Sequence, residues 1–298
     1  MFAEYDDLVC YKQTAIESHG KLKFFLEKHS TKEGTWGHLR LDEGVIDFIF
    51  LNGTGDELSR TRLDKSNPQL LIPPASWHKI APVSEPFSAQ LGFYCKPHRY
   101  FSKKYGLGAI HSDLLAIYQT YLRDQGPLTV LDVGCGSGRN FLFLAAAGHS
   151  ITGIDINESA IANINEIIQK ENLSHANTVV QDLNQPLSLK KEQYNFVFST
   201  VSLQFLKAQS ILSLLHELQS ATTKRGLHFM VFPIRSELYS LPASFTYLPD
   251  KEELYHYYQD CGWSIVEYKE SAGLLHKQDE TGRPIRGLFA HLLAQKIF

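Results

Sequence analysis

The stretch LDVGCGSGRN, from Leu131 to Asn140, decides how the rest of the chain is read. Leu128 to Val133 has the character of a buried strand, three glycines follow at once, and Asn140 to Ala147 reads as a helix. Glycine at such a strand-to-helix turn admits positive φ and lets a ligand approach bare backbone. The spacing then discriminates between ligands. A dinucleotide loop reads GxGxxG, whereas Gly134, Gly136 and Gly138 are spaced GxGxG, with Asp132 two residues before the first. An acid at that position repels a pyrophosphate and suits an ammonium group.

Downstream, strand and helix alternate, which predicts a mostly parallel α/β sheet. HSITGIDI ends a second strand at Asp155, a helix opened by Asn157 or Glu158 runs to about Lys170, and NTVVQDLN supplies a third strand. YNFVFSTVSLQFL, GLHFMVFP, SIVEYKE and LFAHLLAQKIF bring the expected total to seven. Asp132, Asp155 and Asp182 thus fall at three successive strand ends on one rim of the sheet, where open α/β sheets bind ligands. The GxGxG spacing with its preceding acid is that of the S-adenosylmethionine (SAM) loop in class I, Rossmann-like methyltransferases. Asp132 is expected to face the methionine ammonium, Asp155 the ribose hydroxyls and Asp182 the adenine amino group, with Leu183 over the ring. Gly134, Gly136, Arg139, Asn140, Ile156, Thr200 and Val201 complete the expected cofactor set. The main competing ligand is a nicotinamide cofactor.

The first hundred residues have a different texture. KLKFFLEKH, TWGHLRL, GVIDFIFL, PQLLIPP and FSAQLGFYCK are short β-type runs separated by turn clusters, which predicts a small β-sandwich or barrel. Pro73-Pro74-Ala75-Ser76-Trp77-His78 resembles the second cupin motif, with Ala75 at its glycine position. His38 and Glu43 have the spacing of the second His and the Glu of the first motif, but its first His falls at Trp36, and Pro82 stands where that fold has Asn. One imidazole is missing from the usual ligand set, so no metal site is expected. A basic segment and a helix capped by Ser112 or Asp113, with Leu114, Leu115, Ile117, Tyr118, Tyr121 and Leu122 as its apolar stripe, lead into the second half. The boundary is placed near Pro97, giving a cupin-like domain over 1–97 and a methyltransferase domain over 98–298.

Composition bounds the partners. A net charge of −3 over 298 residues leaves no electrostatic footprint for nucleic acid, and no apolar run is long enough to span a bilayer. The N-terminal MFAEYDDLVCYKQ is acidic and lacks a signal-peptide pattern. Cys10, Cys95, Cys135 and Cys261 are scattered without CxxC pairing, the usage of reduced thiols in a cytoplasmic protein. Cys135 is read as packing inside the loop.

Several segments together resemble, nearly end to end, the long form of the tellurite-resistance methyltransferases, the TehB family. They include YFSKKY, LDVGCGSGRN, FSTVSLQFL, ASFTY with EELYHYY, and GLLHKQDETGRPIRGLFAHLLA. LVCYKQ, EKHSTKEGTWGHL, PPASWHKI and LGFYCKPHRYFSKKY resemble that family's extra cupin-like domain. The resemblance implies SAM as cofactor and methyl transfer to tellurite, with selenium oxyanions as further acceptors. It carries the substrate-orienting role onto His276 and Lys277. The family continues Gly-Asn-Arg-Ile, while this chain reads Gly282-Arg283-Pro284-Ile285, so the Arg moves one residue to Arg283, with Arg286 nearby. Ser202, Gln204 and Leu241 also depart from the family pattern, towards a more polar acceptor pocket at the first two. Arg235, after the fifth strand, is a further candidate to face the acceptor. Two alternatives stand beside the oxyanion reading. One is methylation of a small organic thiol, amine or carboxylate with His276 as general base, and the other is a SAM-binding sensor without turnover. A homodimer is compatible with either.

Overall fold

Residues 7–17, 23–278 and 282–298 are described by the computed structural model, without the side chains of residues 23 and 276–278. The chain divides into two units, Met1–Leu107 and Gly108–Phe298. The segment after Pro97 stays with the first unit, because helix α2 (Tyr100–Tyr105) packs on its first strand.

In the first unit, period-two alternation builds two four-stranded antiparallel sheets. One has the order β1-β8-β3-β6, made of β1 (Val9–Glu17), β3 (Trp36–Glu43), β6 (Gln69–Ile72) and β8 (Ser88–Cys95). The other has the order β2-β7-β4-β5, made of β2 (His29–Ser30), β4 (Ile46–Leu51), β5 (Glu57–Leu63) and β7 (Trp77–Pro82). Leu39, Leu41, Ala89 and Leu91 from one sheet and Ile46, Phe48, Leu63 and Ile80 from the other form a single core, which makes the unit a β-sandwich. KLKFFLEKH, expected as a strand, instead forms a short helix α1 (Lys23–Leu26) before β2. Its apparent alternation misleads because Phe24 is exposed while its neighbour Phe25 packs on the core. Strand β7 was not among the expected runs, and neither were β1 and β5. The latter two are sheet edges with few buried positions, so their sequences carry little apolar pattern.

The cupin-like histidines are dispersed. His38 meets Gln69 at 3.3 Å, while the ring of His78 lies 4.3 Å from that of His29 and stacks on Phe48. Burial pushes His78 down to about 4, so it is neutral at pH 7. Among the described residues no three His, Cys, Asp or Glu side chains converge.

The second unit opens with α3 (Ser112–Ile117), prolonged by a π-helical turn over Tyr118–Leu122. Its N-cap is His111 and makes no side-chain cap bond, whereas a cap at Ser112 or Asp113 was expected. The Asp113 carboxylate is committed elsewhere, to Lys269 and His291. Seven strands follow: β9 (Thr129–Val133), β10 (Ser150–Asp155), β11 (Ala176–Val180), β12 (Tyr194–Thr200), β13 (Thr222–Ile234), β14 (Trp263–Gln278) and β15 (Pro284–Lys296). Helices α4 (Arg139–Ala146), α5 (Glu158–Lys170), α6 (Ala208–Ala221) and α7 (Glu253–Asp260) lie between them in sequence. Asn157 caps α5 by accepting from the Ala160 amide at 3.1 Å. The sheet order is β11-β10-β9-β12-β13-β15-β14, in which β15 alone runs antiparallel to the rest. The chain steps outward from β9 through β10 to β11, then returns to place β12 on the other side of β9. That reversal is a topological switch point, the position at which open α/β sheets form a ligand crevice.

Candidate active site

The glycine loop leaves β9 and is stitched to β10 by the Gly134 and Cys135 amides, which donate to the Ile154 carbonyl at 2.8 and 3.0 Å. Gly134 has φ 81°, and a Cβ there would collide with the Ser202 side chain. Gly136 has φ 53°, and a Cβ there would meet nothing within 4 Å. The first glycine is therefore demanded by the protein's own packing, and the second leaves open backbone for a ligand.

Above the loop lies a cavity of about 520 Å³ at the switch point. Gly134, Gly136, Arg139, Asn140, Asp155, Ile156, Asp182, Leu183, Thr200 and Val201 all line it, so ten of the expected cofactor residues converge there. Asp155 Oδ2 accepts from the Gly136 amide at 2.7 Å and Oδ1 from Asn157 at 2.9 Å. Each oxygen keeps a further lone pair for a hydroxyl. Asp182 spends one oxygen on the Asn184 amide and side chain, at 2.9 and 2.8 Å. Those hydrogen bonds hold its carboxyl below the usual carboxylate range. Ile156 and Phe205 also line the cavity yet are 65% and 50% exposed, an apolar platform of the kind a flat ring covers.

Asp132 is placed differently from the others. It is 1% exposed beneath the loop, and its Oδ2 has no hydrogen-bond partner. Burial, then the nearby Asp155, hold its carboxyl well above the usual carboxylate range. An orphaned buried acid of this kind fits a cationic ligand that would supply the missing partner. The donor set therefore fits SAM: Asp132 would meet the charged methionine end, and Asp155 and Asp182 would meet ribose and adenine. When bound, SAM supplies an electrophilic methyl group on a sulfonium.

Val201 has φ 57°, a left-handed conformation that a β-branched residue rarely adopts. Its amide donates to Val231 at 2.8 Å and its carbonyl accepts from Gln204 Nε2 at 2.7 Å. Gln204, one of the departures from the family pattern, thus pins this turn. The Ser202 hydroxyl donates to the Val133 carbonyl at 2.9 Å, which ties the same turn to the end of β9.

Val201 and Arg139 are shared with a second cavity of about 560 Å³. His111, Asp113, Arg139, Lys269, Ser271 and His291 provide its polar wall, and Val231, Leu274, Leu275 and Phe289 its apolar one. Lys269 donates to Asp113 Oδ1 at 2.6 Å, and His291 Nδ1 lies 2.7 Å from Asp113 Oδ2, a close contact poorly aligned for a hydrogen bond. The Arg139 guanidinium reaches the Ala109 carbonyl at 3.3 Å.

Sequence reasoning missed this wall. Asp113 reads as a helix cap, and Lys269 and His291 meet only because β14 and β15 pair in a register that sets them opposite each other. One signal was available, a lone His in the apolar run LFAHLLA. Of the residues carried over by resemblance, the side chains of His276 and Lys277 lie outside the described residues. They follow Leu274 and Leu275, which do line the second cavity. Arg283 is exposed just before β15. Arg235 is committed to an exposed ion pair with Asp250 at 3.2 Å.

A switch-point cavity with a GxGxG loop and acids at successive strand ends, on this sheet order, defines a class I SAM-dependent methyltransferase. The family follows from direct comparison. Residues 93–293 match the model of the tellurite resistance protein TehB, and residues 22–91 match the TehB-like domain. The chain belongs to the TehB family. It is 37% identical over 98% of its length, and 99% of the relative's, to a probable SAM-dependent methyltransferase TehB of Haemophilus influenzae strain 10810. The crystal structure of TehB from Haemophilus influenzae superposes with a TM-score of 0.90 at 36% identity, covering 98% of this chain and 99% of that one. A putative methyltransferase from Bacillus halodurans shares the fold alone, with a TM-score of 0.51 at 16% identity over 63% of this chain and all of that one.

Proposed function

We propose that this methyltransferase moves the methyl group of SAM onto a small oxyanion, tellurite foremost and selenium oxyanions beside it, as a detoxification reaction in the cytoplasm. One observation carries the reading. The second cavity shares Arg139 and Val201 with the cofactor cavity, and its wall holds two cations, Arg139 and Lys269. A tellurium(IV) oxyanion has a lone pair on the central atom, so the protein's task is to hold the anion in line with the methyl group. Arginine and lysine serve that task by charge-assisted hydrogen bonds. By family resemblance His276, Lys277 and Arg283 add to the clamp. The four free cysteines suit a reducing compartment, and no helix of the described residues is long and apolar enough to cross a membrane. A homodimer remains part of the proposal, and its check is the mass in solution.

A second reading has its own support. Leu274, Leu275, Phe289 and Val231 give the cavity an apolar side that an inorganic anion does not use, as a small organic thiol, amine or carboxylate would. Following S-adenosylhomocysteine release with tellurite, selenite and a panel of thiols and amines separates the two. Turnover on the oxyanions alone supports the first reading, turnover on organic acceptors alone replaces it with the second, and SAM binding without turnover on any acceptor would leave a sensor.

A further inference from the structure

Three side chains in the second cavity form a relay that the methyl-transfer scheme above does not use. Asp113 Oδ2 lies 2.7 Å from His291 Nδ1, and His291 Nε2 lies 3.3 Å from the Ser271 hydroxyl. Asp113, Ser271 and His291 all line the cavity. The Asp113 and His291 side chains are only 23% and 11% exposed, so their mutual field is weakly screened. We propose that His291, oriented by Asp113, is the general base of the acceptor cavity and removes a proton from the acceptor through Nε2. The inference rests on the reading of this cavity as the acceptor site.

The Asp113 carboxylate biases the tautomer by its charge. Although the contact is poorly aligned for a hydrogen bond, a carboxylate oxygen 2.7 Å from Nδ1 favours a proton on that nitrogen and leaves the Nε2 lone pair on the Ser271 side. The Ser271 hydroxyl is a rotor that donates to Nε2 and turns aside for a better donor. Lys269, at 2.6 Å from Asp113 Oδ1, keeps the carboxylate ionised. Burial alone would raise Asp113, yet Lys269 and then His291 hold it below the usual carboxylate range. His291 itself is lowered by burial, with Asp113 opposing and Lys269 assisting that shift. Its other polar neighbours are accounted for. His111, 3.8 Å from Asp113, is pushed down to about 4 by burial and is neutral at pH 7. Glu267, which shares a neighbouring cavity wall with His291, accepts from the Tyr121 hydroxyl at 2.6 Å. Arg139 lies across the cavity on α4. A neutral His291, its Nε2 lone pair met by the Ser271 hydroxyl, is therefore the resting state at neutral pH.

The acceptor chemistry gives such a base work to do. Hydrogen tellurite and hydrogen selenite carry an O–H at neutral pH and are weaker nucleophiles than their dianions. The O–H bond breaks toward His291 Nε2 and its electron pair stays on the oxyanion, which Arg139 and Lys269 then hold. The acceptor's lone pair forms the new bond to the methyl carbon while the C–S pair stays on sulfur, leaving a neutral thioether. His291 returns the proton to solvent.

Two measurements test this. The first follows the ring resonances of His291 by NMR across pH in the ligand-free protein and in Asp113→Asn. Loss of the carboxylate should move its titration to lower pH, because the group that raised it is gone while Lys269 remains. The second compares kcat on selenite with kcat on dimethyl selenide, which has a lone pair and no proton to lose. His291→Gln should lower kcat on selenite by about 10²-fold, the usual share of a general base, and change kcat on dimethyl selenide by less than about threefold. In Asp113→Asn the acidic limb of the selenite pH profile should move to lower pH together with the NMR titration. Equal losses on both acceptors, or a His291 titration indifferent to Asp113, would overturn the base. A wild-type protein that methylates dimethyl selenide but neither oxyanion would overturn the oxyanion reading and the proton transfer with it.

Discussion

Asp132 has a buried carboxyl with an unpartnered oxygen beneath the glycine loop, which costs the ligand-free protein stability. Its raised protonation range gives the sign. In the unfolded chain the group ionises at ordinary carboxylate pH, whereas in the folded chain it resists, so at neutral pH its ionisation works against folding. Asp132→Asn removes the titration and keeps the shape. Its ligand-free Tm should rise by about 2–4 °C, the equivalent of about 1 kcal/mol in a domain of this size. SAM affinity measured by calorimetry should fall by at least about tenfold. A variant that lost stability while still binding SAM normally would show that Asp132 serves the fold and not the ligand. That acid was legible in the sequence because it stands at a set distance from GxGxG. The Asp113–His291 pair was not, since 178 residues separate its members and only strand register joins them to Lys269.

At the scale of elements, β13 joins the sheet to the helices that cover it. His228, on β13, is fully buried between the end of α6 and α7. The Thr222 hydroxyl donates to Leu218 at 2.7 Å, so it accepts from His228 Nε2 at 2.7 Å, and Nδ1 in turn accepts from the Tyr258 hydroxyl at 2.8 Å. Three elements are thus tied through one neutral ring. Burial, then Lys296, push this histidine down to about 3. Below pH 6.5 the unfolded chain takes up a proton that the folded chain refuses, so this part of the stability is present above 6.5 and drains away as pH falls toward 3. Tm should therefore fall steadily from pH 6.5 to pH 4, and the fall should be shallower in His228→Gln, whose amide can still bridge the two hydroxyls. Parallel curves for the two proteins would exclude the mechanism. Strands β9, β12 and β13 are legible in sequence because burial on both faces gives them long apolar runs. Edge strands β1 and β5 are not, because most of their side chains meet water.

For the whole molecule, every residue lining the two cavities belongs to Gly108–Phe298. A fragment of residues 108–298 should accordingly bind SAM with a Kd within about threefold of the intact chain, as measured by calorimetry. Loss of binding in a folded fragment would assign the β-sandwich a part in the cofactor site. In the sandwich the histidines of the cupin-like stretches are engaged locally. His78 turned to His29 and Phe48, and His38 to Gln69, use their rings for packing and local hydrogen bonds.

By itself the sequence determined the α/β class, the seven strands, the glycine loop and the acids at successive strand ends. Each of these is a local pattern, in which a strand, a turn and the residue beside it are contiguous, so spacing carries the geometry. Family membership was legible for the same reason, as ordered motifs along the chain. What only the tertiary structure decided was the second cavity. Its wall is assembled from the start of α3, the start of α4 and two antiparallel strands near the C-terminus. The strained turn at Val201, held by Gln204 and by the Val231 carbonyl, likewise depends on neighbours that come together only when the sheet forms. Contacts between residues far apart in sequence are set by register and helix placement, and no local pattern encodes them.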